Sequence, residues 1–328
     1  MAEPILRVDG LSCGFHTEDS YVRVVDQLSF DIAAGTTLGL VGESGCGKTV
    51  TALAVLGLLP KPAGIIEGGE ISFRGNNLSN ASAMTLKGVR GRGISMIFQE
   101  PMTALNPVHP IGKQLMEVIE LYEPHIGKVA QQAKAVELLE QAGIPDPAHR
   151  LREYPHQLSG GMRQRVMISI AIAGNPDVLI ADEPTTALDV TVQAQILQLL
   201  QKLQKNHGMA MIFITHDLGV VAEICDEVLV MYAGRIAERC SVMQLFRAPK
   251  HPYSQGLIGS IPRLDSPCKV PLPVIEGVVP PLSELPPGCR FSNRCRYARG
   301  KCHTEDPPLI HTESRHKVAC HHWRQLVV

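Results

Sequence analysis

Long apolar runs are missing from this chain. No stretch reaches the roughly 18–20 uncharged apolar residues that span a bilayer. The best, residues 50–59, stops at Pro60-Lys61-Pro62, so no transmembrane segment is expected. The opening Met1-Ala2-Glu3-Pro4 carries neither a basic stretch nor an apolar one after it, and no secretory leader is expected. An excess of charge is missing as well: 31 Lys and Arg stand against 32 Asp and Glu, a net −1. That leaves no basic surplus to neutralise many phosphates and speaks against a duplex binder. Aromatic residues make up only 4%, poor material for base-stacking platforms. No nucleic-acid partner is expected.

What is present is an ordinary globular balance, 45% hydrophobic and 19% charged, which excludes disorder over most of the chain. At 328 residues the chain exceeds the roughly 250–300 at which single cores split. One large α/β domain with an appendage, or two domains, is expected. A cytosolic setting follows from the missing segments. Thiols stay reduced there, so the nine cysteines call for packing, chemistry or metal rather than disulfides.

The order of elements reads as a parallel α/β sheet. Strands are expected over 5–8, 36–41, 94–98, 178–182, 209–215 and 228–232, and helices over 49–59, 111–142, 162–173 and 190–205, the last capped by Asp189. Prolines crowd residues 262–308, including Pro271, Pro273, Pro280, Pro281, Pro286 and Pro287. Long regular elements are not expected there, and residues from about 250 on read as a separate loop-rich tail.

Gly42-Glu43-Ser44-Gly45-Cys46-Gly47-Lys48-Thr49 fits a phosphate-binding loop between a strand and a helix. Glycines let successive N–H groups point inward at phosphate oxygens, and the helix start adds its positive end. Lys48 reaches the β- and γ-phosphates, and the Thr49 hydroxyl ligates Mg²⁺. Val178-Leu179-Ile180-Ala181-Asp182-Glu183 supplies a buried strand that ends in two carboxylates. Asp182 would hold Mg²⁺ beside the loop, and Glu183 would polarise the attacking water. Cys46 reads as a small space-filler; its place beside a helix start, which would lower the thiol pKa, leaves a redox switch as the alternative.

Leu158-Ser159-Gly160-Gly161-Met162-Arg163-Gln164 resembles the LSGGQ signature of the ATPases of ATP-binding cassette (ABC) transporters, with Met162 where glutamine is usual. The order of phosphate loop, Gln99, signature, Asp182-Glu183, Ala187-Leu188-Asp189 and His216 follows that family over residues 5–250. The resemblance implies a RecA-like nucleotide-binding core at 1–99 and 177–250, interrupted by a helical subdomain at 100–176. It implies that two such subunits sandwich two ATP molecules head to tail. Ser159, Gly160 and Gly161 would then complete a partner's site, and Asp189 would lie at the seam. Gln99 would touch the metal and the attacking water, and His216 the γ-phosphate. Thr51 joins the expected nucleotide contacts. Phe15 is the candidate for stacking on adenine, with Tyr21 also available.

Cys289, Cys295, Cys302 and Cys320 are separated by five, six and seventeen residues. A cluster of thiols on Pro/Gly loops points to a metal. There is no CxxC pair, and spacing alone leaves zinc and iron–sulfur open, with His303, His311, His316, His321 and His322 nearby. Cys13, Cys225 and Cys240 read as packing residues, and Cys268 stands outside the set. His251-Pro252-Tyr253, the run from Gln99 to Pro107 and the run from Ala181 to Thr191 resemble the oligopeptide/dipeptide subgroup of ABC import ATPases. In dipeptide-permease ATPases four tail cysteines so spaced hold a [4Fe-4S] cluster.

The resemblance therefore implies an ATP- and Mg²⁺-dependent ATPase that powers dipeptide or oligopeptide import, with residues 251–328 as the subgroup's extension. It implies a related second ATPase (a homodimer being the runner-up), two membrane-spanning permease subunits and an external peptide-binding protein. The chain would sit peripherally on the cytoplasmic face of the inner membrane. Import of nickel or another small solute is the alternative, but nickel-type ATPases lack such a tail. A soluble ABC ATPase of DNA repair or translation would show a long coiled-coil insertion or two cassettes, and neither is present. A redox sensor that uses ATP only structurally is opposed by the full set of hydrolytic residues.

Overall fold

The computed structural model describes residues 3–18, 20–100, 104–186, 188–262, 273–313 and 315–326. Cys268, Pro271, Ala187 and the Pro101-Met102-Thr103 part of the run after Gln99 lie outside them. Two compact units emerge. One combines the N-terminal residues up to Ile5 with Ile32–Thr36 and Asn80–Phe213; the other combines Leu6–Asp31, Thr37–Ser79 and Ile214–Val328. Among the described residues no helix is long and apolar enough to cross a membrane.

In the first unit, strands Ile94–Ile97 and Val178–Asp182 pair in parallel, with Ile97 opposite Ala181. All residues of both are buried, as expected of parallel strands covered on two faces. The helical stretch expected over 111–142 divides into Ile111–Tyr122 and Lys128–Gln141. The break falls at Glu123, with φ −131°, because Pro124 disfavours the helical conformation in the residue before it. The signature opens helix Gly160–Ile172, and Val190–His207 follows the carboxylate strand.

In the second unit, Thr37–Val41 is buried throughout and pairs in parallel with Glu227–Tyr232, Val41 opposite Val230. Arg235–Ser241 returns antiparallel, and two short strands of the extension, His316–Val318 and Ile310–Glu313, add to that edge. A separate antiparallel sheet runs in the order Tyr21–Ile32, Leu6–His16, Gly64–Phe73, Asn76–Asn77. The helix expected over 49–59 is shorter, Lys48–Val55. Gly57 ends it at φ 62°, where a left-handed residue lets the last carbonyls be capped: its N–H donates to Ala54 O and that of Leu58 to Leu53 O.

The extension does not stand apart. Tyr253 and Phe291 are buried in one core with Val41, Val230 and Tyr232. The Phe291 ring meets Tyr232 edge-on at 5.1 Å and tilts against Tyr253 at 5.4 Å. Among the described residues of the extension regular structure stays short, as the prolines foretell, and burial of large rings replaces it.

Candidate nucleotide site and cysteine cavity

The phosphate loop leaves strand Thr37–Val41 at Gly42. A Cβ on Gly42 would sit 2.3 Å from the Met231 carbonyl oxygen, so only glycine fits. Gly47 precedes helix Lys48–Val55 at φ 103°, a conformation open to glycine alone at little cost. The Lys48 ammonium folds back over the loop and donates to Gly42 O at 2.8 Å and Glu43 O at 3.1 Å. Ser44, Gly45 and Thr49 are exposed. Thr51 is buried, and its hydroxyl donates to Gly47 O at 2.9 Å, securing the first helical turn.

Cys46 is buried. Burial pushes its thiol up, and Lys48, whose Nζ lies 3.8 Å from Sγ, only partly opposes this. The lowered pKa weighed for a thiol at this helix start is thereby overturned, because desolvation outweighs the ammonium. Cys46 fills space.

The other unit carries the carboxylates. Asp182 closes its strand in full burial. Glu183 follows at φ 46°, a left-handed conformation that costs a side-chain-bearing residue about 1–3 kcal/mol and gathers at functional sites. Its Oε2 accepts from Gln99 Nε2 at 3.1 Å and from Thr186 Oγ1 at 2.9 Å. The parallel pairing of the two strands brings Gln99 and Glu183 to one edge. Both residues were legible in the sequence; their hydrogen bond was not.

Ser159 Oγ accepts from Met162 N–H at 3.3 Å and caps the signature helix, whose first residues are Gly160 and Gly161. Asp189 caps the Val190–His207 helix through Val192 N–H at 3.0 Å, as expected. His216 is exposed just beyond strand Ala210–Thr215. Phe15 is partly exposed on strand Leu6–His16, opposite Gly64.

Cys289, Cys295, Cys302 and Cys320 line one cavity of about 20 Å³, together with Phe291, Ser292, His322 and Leu326. Burial, reinforced by the neighbouring thiols, raises Cys289 and Cys320 to about 11, and it raises Cys295 too. The Ser292 hydroxyl and His322 Nε2 are buried without hydrogen-bond partners. Cys289 N–H donates to Cys302 O at 2.9 Å, which ties two of the cysteine-bearing loops. Elsewhere, Cys225 and Cys13 are raised by burial, which keeps them inert.

Two contacts on the phosphate loop escaped sequence reasoning. Tyr253 Oη accepts from Glu43 N–H at 2.9 Å, and Arg294 grips the Glu43 carboxylate at 2.7 and 3.2 Å. Tyr253 lay inside the His251-Pro252-Tyr253 motif, a signal for the extension but not for this contact.

A strand, a glycine loop closing on a lysine, a carboxylate-tipped strand and a serine-capped signature helix together define an ABC-type nucleotide-binding subunit. A family profile described as ABC transporter matches residues 25–186, and one described as oligopeptide/dipeptide transporter, C-terminal region, matches residues 237–302. A probable peptide ABC transporter ATP-binding protein of Sinorhizobium fredii is 49% identical over 98% of this chain and 96% of its own length. The dipeptide transport ATP-binding protein DppD of Bacillus subtilis is 46% identical over 98% and 95%. The chain belongs to the ATP-binding proteins of ABC transporters, in the branch that carries the oligopeptide/dipeptide C-terminal region. Its fold is shared with a dimeric post-hydrolysis state of the ATP-binding cassette MJ0796 bound to ADP and Pi, at TM-score 0.65 and 24% identity over 72% of this chain and 98% of that one.

Proposed function

We propose that this chain hydrolyses ATP to drive import of dipeptides or oligopeptides through an ABC transporter. The observation that carries the reading is the union, in one chain, of the cassette with the oligopeptide/dipeptide C-terminal region at residues 237–302. Relatives named for peptide and dipeptide transport, near half identical over almost the whole chain, support it.

In this reading, loop residues Gly42, Ser44, Gly45, Cys46, Gly47 and Lys48 hold the phosphates. Thr49, Asp182 and Gln99 would hold Mg²⁺, which neutralises charge on the phosphate oxygens when bound. Glu183 accepts a proton from water as the water oxygen bonds to the γ-phosphorus and ADP departs with the bridging oxygen. Gln99, hydrogen-bonded to Glu183, orients that carboxylate, and His216 donates to the γ-phosphate. Ser159, Gly160 and Gly161 present the signature helix start to a partner's nucleotide, with Asp189 at the seam, and Phe15 stacks on adenine. The partner is a related second ATPase. Two permease subunits hold the pair to the cytoplasmic face of the inner membrane, and an external binding protein delivers peptide.

The cysteine cavity fits a thiolate-bound metal centre in its donor set: four sulfurs with two orphaned polar atoms on an otherwise apolar wall. A single zinc with bonds of about 2.3 Å draws its sulfurs to about 3.8 Å from one another. Among the described residues, the group with three ligand atoms within 4.8 Å of one another is Glu238, Cys240 and His316, not the cysteines. The choice of a polynuclear cluster over a single zinc rests on the resemblance to dipeptide-permease ATPases. Cys289, Cys295, Cys302 and Cys320 would hold a [4Fe-4S] cluster, which supplies cross-links among four loops. An anaerobic preparation is expected to contain iron and acid-labile sulfide; zinc without either would overturn this.

A tagged pull-down from detergent-solubilised membranes tests the function. Recovery of two polytopic subunits and a second ATPase is expected. Recovery of ribosomes or nucleic-acid enzymes instead would withdraw the transport reading.

A further inference from the structure

Glu43 sets a difficulty. It is a carboxylate inside a loop built to receive phosphates, and an anion there repels the ligand. The extension answers it. Both guanidinium nitrogens of Arg294 engage the two Glu43 oxygens, at 2.7 and 3.2 Å, a two-point pairing that fixes orientation as well as charge. Arg294 is itself immobilised. Its Nε donates to Glu276 O at 3.0 Å and its Nη2 to Ile275 O at 3.3 Å. Its guanidinium lies over the Tyr232 and Phe291 rings at 5.8 and 6.0 Å, and the side chain is only 6% exposed.

The backbone of Glu43 is held too. Its N–H is taken by the buried Tyr253 hydroxyl and its carbonyl by Lys48 Nζ. The second residue of the loop is thus fixed at three points, two of them from residues 210 and 251 positions away. The same carbonyl aims the Lys48 ammonium. Next to Arg294 stands Cys295, whose side chain lines the cysteine cavity, so the brace rests on the wall of that cavity.

We propose that Arg294 and Tyr253 are positioning residues of the ATP site: the extension neutralises Glu43 and holds the phosphate loop in its receiving shape before nucleotide arrives. The proposal rests on the assignment of Gly42–Thr49 as the phosphate loop. Removing the brace leaves the loop to be ordered at the moment of binding and restores the repulsion, which together weaken affinity by roughly 5- to 50-fold.

The test is titration of the full-length chain with mant-ADP, alongside the melting temperature without nucleotide. Arg294→Met is expected to weaken binding within that range, and Tyr253→Phe by a few-fold. Adding Glu43→Gln to Arg294→Met is expected to recover part of the affinity, because the uncancelled charge is gone; a merely structural arginine gives no such recovery. Lys48→Ala serves as the control for the loop assignment. If Lys48→Ala loses binding while Arg294→Met and Tyr253→Phe stay within twofold of wild type, the brace is refuted and the loop stands. Weakening that tracks a collapsed melting temperature, without recovery in the double variant, also refutes it. Unchanged binding in Lys48→Ala overturns the loop assignment and the brace with it.

Discussion

Glu183→Gln separates chemistry from structure at one position. The substitution keeps the side chain's shape and one acceptor oxygen, so Gln99 and Thr186, now at 3.1 and 2.9 Å from Oε2, retain an oxygen to donate to. Glu183 is only half-buried, and the exchange weakens charge-assisted bonds to neutral ones at a cost of about 1 kcal/mol or less. In a chain of this size that moves the melting temperature by only about 1–2 °C. The backbone demand at φ 46° is the same for both residues. Loss of a general base, by contrast, slows the chemical step roughly 10²–10⁴-fold, which is about 2.7–5.4 kcal/mol in the barrier. The catalytic effect therefore dominates by several-fold. The assay is single-turnover ATP hydrolysis at saturating Mg²⁺-ATP, paired with nucleotide affinity and chain stoichiometry by light scattering. Expected are near-wild-type affinity, hydrolysis below 1% and a persistent ATP-bound dimer. Turnover above a tenth of wild type with affinity intact would refute Glu183 as the base, and loss of affinity would show that the carboxylate is needed for binding instead.

Two further outcomes concern the extension. Phe291→Ala removes a ring 4% exposed and its ring contacts with Tyr232, His251 and Tyr253, and is expected to destabilise by about 3–5 kcal/mol, read by urea unfolding and by faster proteolysis within residues 251–328; a change under 1 kcal/mol would contradict its place in the core. His251 is lowered from 6.5 to about 4 by burial, against the pull of the Glu238 charge. Because the unfolded chain then takes up the proton first, stability is full above pH 6.5 and falls as pH drops toward 4. At 1.36 kcal/mol per pH unit that loss is about 3 kcal/mol, and His251→Gln is expected to flatten this part of the stability–pH curve; an unchanged slope would assign the acid sensitivity elsewhere.

Much of the site was legible because its chemistry is local. The phosphate loop, the signature helix cap at Ser159 and the cap at Asp189 each need residues within a few positions of one another. The strands that carry them are continuous apolar runs, and both 178–182 and 210–215 emerged within a residue of expectation. Strands Tyr21–Ile32 and Gly64–Phe73 escaped notice because they lie half-exposed and carry charges and glycines, which blurs the two-residue alternation. The brace on Glu43 was hidden for another reason. Nothing near Arg294 or Tyr253 in the sequence indicates a partner more than 200 residues away; burial of Phe291 and Tyr253 against Tyr232 brings the extension to the loop. Proline-rich loops gave the tail an appearance of independence that its aromatic core removes.

The most direct test of the central claim is uptake of a labelled dipeptide into vesicles reconstituted with this chain, the membrane subunits that co-purify with it and their external binding protein. The account predicts accumulation that requires ATP on the side bearing this chain and vanishes with Glu183→Gln. Accumulation that proceeds equally with Glu183→Gln, or ATP hydrolysis by the complete assembly that no peptide stimulates, would contradict it.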